Sequence, residues 1–164
     1  AIYEAARSVG AAFAHEMAGG TYTTSEAFRE IYNPLTFIKD ASFEYNGKSY
    51  TAGCKTEGST ITCADFTYND FQSDVNNIVH ELGHAFNRDT ALPQIFRKDR
   101  KNILHAYDGI VWQMNDSTSN NETFGDFFVA WVFGVWGDEA NHEYEDVGSP
   151  TNWMTTNMAA WLNQ

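Results

Sequence analysis

The sequence predicts an α+β fold in one domain spanning residues 1–164: two helices, a small antiparallel sheet, a helix laid over that sheet, and a mainly helical C-terminal half. Three observations carry the prediction. Apolar residues recur at three- and four-residue steps towards both ends of the chain, they alternate in strand fashion across residues 41–66, and Gly, Pro and Asn mark the boundaries between these patterns.

Each element follows from its own residues. Residues 2–17 are amphipathic and run into Gly19-Gly20, which reads as a helix and its stop. A second, short helix follows Thr24-Ser25, carries Glu26, Phe28, Ile31 and Tyr32, and halts at Asn33-Pro34. Phe43 and Tyr45 lead into Asn46-Gly47, a pair suited to the positive-φ positions of a hairpin turn, and Tyr50 begins the return strand. Residues 60–66 supply a further strand. Cys54 and Cys63 flank a polar, Gly-containing stretch that reads as the turn of a second hairpin. A disulfide between them would contribute about 2–3 kcal/mol. The competing use of a cysteine is as a zinc ligand, but neither lies in a matching context and the even count favours the bridge.

The next helix is predicted from an N-cap at Ser73-Asp74 followed by Val75, Ile78, Val79, Leu82 and Phe86. Asn87-Arg88-Asp89 ends its apolar pattern, and Pro93 prevents continuation. Residues 93–114 are mixed and helical in part, and a polar loop covers 115–121. Residues 122–136 are strongly apolar and read as a buried helix, whereas 137–150 are acidic and loop-like. A final helix over 151–162 carries Trp153, Met154, Met158 and Trp161 at helical spacing, a stripe read as core packing.

Composition excludes several classes of function. With 43% hydrophobic and 15% aromatic residues the chain can build a core, so disorder is not an option. A formal charge of −12 repels phosphate backbones and anionic membranes, so no nucleic-acid partner is expected. No apolar run approaches the length of a membrane span. The start, Ala1-Ile2-Tyr3, carries neither an initiator Met nor a signal peptide and reads as a processed mature chain or an excised domain. Together with the disulfide and the acidic charge, this leads us to expect a secreted monomer. Asn115-Asp116-Ser117 and Asn121-Glu122-Thr123 are glycosylation sequons, the second overlapping a candidate ligand.

One motif dominates the chemistry. His80-Glu81-Leu82-Gly83-His84 reads H-E-x-x-H inside a helical pattern, which places both imidazoles on one helix face. Two neutral imidazoles can grip one Zn²⁺, and Glu81 then stands beside the open coordination position as a proton acceptor. The apolar stripe would face a core and leave His80, Glu81 and His84 along its border. Gly83 costs helix propensity by about 1 kcal/mol against Ala, so close packing by a strand or ligand, or a plain packing need, is expected there. A catalytic zinc site takes three protein ligands, so one more must come from elsewhere. Glu122 and Asp126, four apart on the predicted buried helix, project to one face. They would be tolerated there if one ligates a metal and the other accepts a hydrogen bond from a ligating His. The bland alternative makes Glu122 a helix N-terminal acid but leaves Asp126, among Phe124, Phe127 and Phe128, without a partner.

The pairing of H-E-x-x-H with the later Asn121-Glu122-x-x-x-Asp126 resembles the gluzincins, the thermolysin-like zinc peptidases of the zincin fold. Metzincins are excluded because Asn87 and Thr90 stand where that pattern places Gly and His or Asp, and the aspzincin Gly-Thr-x-Asp segment is absent. The resemblance implies that Glu122 is the third zinc ligand and that Asp126 orients a ligating His. The long stretch between His84 and Glu122 looks more like the anthrax lethal factor and Pro-Pro endopeptidase branch. That branch carries a Tyr shortly before the third ligand as donor to the tetrahedral intermediate, and residues 115–121 contain none. Tyr107, His105, His142 and Tyr144 stay open as substitutes. A C-terminal subdomain of the thermolysin kind must be reduced or missing in 164 residues.

The expectation is therefore a secreted zinc metalloendopeptidase acting on a peptide or protein substrate with one catalytic Zn²⁺. Its metal ligands would be His80, His84 and Glu122, its general base Glu81. Two other functions share the same residues: a degenerate zinc protein that binds a partner without cleaving it, and a non-peptidase zinc amidohydrolase.

Overall fold

The computed structural model describes residues 1–64, 71–88, 91–99 and 119–164. The chain begins with two helices, α1 (Ile2–Glu16) and α2 (Thr24–Ile31), packed against each other. The start of α2 is fixed by a reciprocal cap: Thr23 Oγ1 accepts from the Glu26 backbone N–H, and Glu26 Oε2 accepts from the Thr23 backbone N–H. Strands follow as β1 (Thr36–Lys39), β2 (Phe43–Tyr45), β3 (Lys48–Tyr50), β4 (Cys54–Glu57) and β5 (Thr60–Cys63). The remaining described elements are α3 (Phe71–Phe86), α4 (Gln94–Asp99), α5 (Asn120–Phe133), a 3₁₀ turn (Asp138–Asn141) and α6 (Pro150–Leu162).

The α+β class holds, with the strands between helices and a helical C-terminal half. The sheet is mixed rather than wholly antiparallel. β4 and β5 form the expected hairpin, but β1 pairs with the far side of β5 in parallel, giving the order β1-β5-β4. Nothing in β1 announces this, because it is largely exposed, Ile38 included, and so lacks the alternation that marks a half-buried strand. The Asn46-Gly47 hairpin is present, with φ of 51° and 73° at its turn, but β2 and β3 form a separate two-stranded sheet. Cys54 and Cys63 face each other across β4 and β5 and are joined in a disulfide.

The core lies between α1, α3, α5 and α6, and aromatic side chains dominate it. Phe13 of α1 meets Tyr32, Phe86, Phe128 and Trp131 at ring-centroid separations of 5.6–6.2 Å. Met154 and Met158 are wholly buried and Trp161 nearly so, which bears out the core reading of that stripe. The helix α3 starts at Phe71, so Ser73 and Asp74 lie inside its first turn rather than capping it. It is covered almost all round, by α1, α5 and the β4–β5 hairpin. His80 and Glu81 are accordingly buried, not placed along a border as expected. No helix among the described residues is long and apolar enough to cross a membrane.

Candidate metal centre

The site forms where α3 crosses α5, and two glycines make the crossing possible. A Cβ on Gly83 would lie 2.9 Å from Cβ of Phe128 and 3.2 Å from Cα of Gly125. Its helix-breaking cost is thus a packing need, met by α5 rather than by a strand or ligand. A Cβ on Gly125 would stand 2.7–2.8 Å from three atoms of the His80 ring, so the imidazole lies directly on the α5 backbone. A bond from Asn87 Nδ2 to Asn121 Oδ1, 2.9 Å long, ties the end of α3 to the start of α5. Ser119 caps α5, its Oγ accepting from the Glu122 backbone N–H.

His80, His84 and Glu122 converge at this crossing. Each offers one ligand atom, and these atoms all lie within 4.8 Å of one another. His80 Nε2 is 3.2 Å from Glu122 Oε2, and His84 Nε2 is 3.4 Å from Glu122 Oε1. Those separations match the ~3.3 Å edge of a tetrahedron whose centre makes bonds of about 2.0–2.1 Å to N and O. Asp126 stands behind, its Oδ1 accepting from His80 Nδ1 at 2.8 Å. With Nδ1–H committed to Asp126, the Nε2 lone pair of a neutral His80 points at an acceptor oxygen of Glu122. Two lone pairs at that distance repel unless a cation, either a proton or a metal ion, lies between them. The donor set of two imidazoles and a carboxylate suits Zn²⁺.

The electrostatics agree with that picture. Burial alone would lower the His80 pKa, but the hydrogen bonds to Asp126 and Glu122 outweigh it and raise it from 6.5 to about 10. The same contacts, from His80 and then His84, hold the Glu122 carboxyl well below the usual carboxylate range. Burial pushes Asp126 up, and the bond to His80 offsets part of that cost. The group is reached by solvent through Glu122 and His84: side-chain exposure is 28% for Glu122 and 15% for His84, against 4% for His80.

Glu81, next in sequence to His80, turns towards the sheet. Its Oε2 accepts from Thr56 Oγ1 at 2.7 Å, and the same hydroxyl lies 3.0 Å from the Glu81 carbonyl oxygen. Neither Thr56 nor the seat provided by Gly125 is flagged by sequence motifs; the one available signal was a glycine interrupting an otherwise apolar helix. Of the open candidates for a further donor, Tyr144 is buried against Phe96, with ring centroids 5.3 Å apart, and the exposed His142 ring lies 5.1 Å from it. His105, Tyr107 and the Asn115 sequon lie outside the described residues. Thr123, in the other sequon, is buried with its hydroxyl donating to the Ser119 carbonyl oxygen.

No protein-family model matches this chain, and neither a curated protein nor a solved structure shows significant similarity to it.

Proposed function

We propose that the protein is a secreted zinc-dependent metalloendopeptidase of the gluzincin type. The observation that carries this reading is the meeting of His80, His84 and Glu122 around one point, with Asp126 behind His80; Glu81 follows His80 in the chain. Zn²⁺ bound there would polarise a peptide carbonyl and acidify water. Glu81 takes the proton from the attacking water as its oxygen bonds to the carbonyl carbon, then delivers it to the leaving amine as the C–N bond breaks. Asp126 keeps His80 in the tautomer whose Nε2 faces the centre, and Glu122 brings the anionic charge that a divalent cation needs. The Cys54–Cys63 disulfide supports an oxidising, extracellular setting.

The test combines zinc stoichiometry with cleavage of casein and a peptide library, on the wild type, Glu81→Gln and Glu122→Ala. The expected wild type holds one zinc per chain and cleaves. Glu81→Gln should keep the zinc and lose roughly 10²–10⁴-fold in turnover, whereas Glu122→Ala should lose both. Zinc bound without cleavage by the wild type would replace the peptidase reading with a zinc-stabilised binding protein. Full activity in Glu81→Gln would remove the general-base assignment.

A further inference from the structure

Thr56 lies on β4, half-buried, with its side chain turned towards the core. It pairs with Ile61 across the β4–β5 ladder, so the two project from the same face of the sheet, and Ile61 is wholly buried. A hydroxyl turned towards that face costs desolvation unless it finds a partner. The partner here is Glu81, on the helix that packs over β4. At 2.7 Å the contact is a well-formed O–H···O hydrogen bond.

We propose that Thr56 is a positioning residue for Glu81, dictating which carboxylate oxygen handles the proton. The inference rests on the reading of Glu81 as general base. Oε2 is engaged by the Thr56 hydroxyl, which leaves Oε1 as the oxygen that receives the proton from water and later releases it to the amine. The hydroxyl has one proton and two acceptors within reach, Oε2 at 2.7 Å and the Glu81 carbonyl oxygen at 3.0 Å. While Glu81 is charged, the bond to Oε2 is the stronger and pins the side chain. The hydroxyl thus fixes the carboxylate by Oε2 and leaves Oε1 free of it.

Thr56→Val keeps the shape and strand preference of the side chain and deletes only the hydroxyl. On any peptide the wild type cleaves, Thr56→Val should lower kcat by about 10- to 100-fold. KM and zinc content should stay within about twofold, and Thr56→Ser should restore most of the rate, because serine supplies the same donor. An unchanged kcat, a loss confined to KM, or a failure of Ser to rescue would overturn the proposal. Thr56→Ala replaces Val if Val does not give a folded protein. Crystal structures of the wild type and the hydroxyl-less variant give a readout independent of activity. Glu81 should hold one carboxylate conformer in the former and several, or a rotated one, in the latter. A wild type that cleaves nothing would sink the peptidase reading alone. Thr56 is then judged by these structures, and an unmoved Glu81 refutes its role.

Discussion

The helix α3 presents one functional residue group to α5 and another to β4, and the two sides hold their groups by different means. Towards α5, the helices close to glycine contact, and His80 is fixed at once by Asp126, by Glu122 and by the backbone at Gly125. Towards β4, Glu81 is held, among the described residues, by the Thr56 hydroxyl, carried by a strand whose hairpin is closed by a disulfide. Among the described residues, His80 on the ligand side is therefore fixed by several contacts, while Glu81 on the base side is fixed through Thr56. His80 and Glu81 are adjacent in sequence but about 100° apart around the helix, so metal binding and proton transfer can be perturbed separately.

The largest effect on the metal centre should come from Gly125→Ala, which attacks the ligand side. A methyl group there would stand 2.7–2.8 Å from Nδ1, Cε1 and Nε2 of His80, and the ring cannot yield without breaking its bond to Asp126. Overpacking of this kind costs about 1–3 kcal/mol. Displacing the ring should also weaken metal binding by about 10- to 100-fold, the penalty seen when a ligating His loses its support. Thermal unfolding of the metal-free protein and competition with a zinc chelator measure the two parts. Zinc affinity equal to that of the wild type would mean that the crossing does not set the ligand geometry.

Removing the disulfide by Cys54→Ala with Cys63→Ala attacks the base side. The loop it closes is short, so the expected loss is about 2–3 kcal/mol of stability. Zinc affinity should hold while peptide turnover falls, because β4 carries Thr56 but no metal ligand. A parallel fall in zinc affinity would break the separation between the two sides of α3.

What the sequence disclosed, and what it hid, follows the same division. His80, His84, Glu122 and Asp126 were legible because helical spacing fixes which side chains share a face, and because a carboxylate in an apolar helix demands a partner. Their meeting across helices distant in sequence was inferred from that demand, and their separate roles only from the gluzincin resemblance. The Cys54–Cys63 hairpin was legible from its turn, and the Asn46-Gly47 turn from its need for positive φ. The parallel strand β1 was not, since it is mostly exposed and its pairing with β5 joins segments that no local turn connects. Thr56 was hidden for a similar reason: its role depends on the register of β4 against α3, and no spacing within either segment specifies it. The near-complete burial of α3 was missed because α5 covers a face that carries polar residues for the site, not apolar ones for the core.

The smallest effect is expected from a third contact on α3, made by neither of these sides. Tyr32, at the end of α2, is buried, and its hydroxyl donates to the Leu82 carbonyl oxygen at 2.7 Å. Burial pushes the phenol pKa well up, so the donor stays protonated across the working pH range. Tyr32→Phe keeps the ring contacts with Phe13 and Phe28, at 5.6 and 4.9 Å, and deletes only the hydroxyl. The expected cost is about 1 kcal/mol, seen as a lower urea midpoint with an unchanged slope. Leu82 lies between Glu81 and Gly83, yet Tyr32 reaches its carbonyl from the α2 end, which carries neither a candidate ligand nor Thr56. Zinc affinity and kcat should therefore match the wild type. A fall in kcat at constant zinc affinity would show that Glu81 is steadied from the α2 side as well, and would reduce the share of its positioning that belongs to β4.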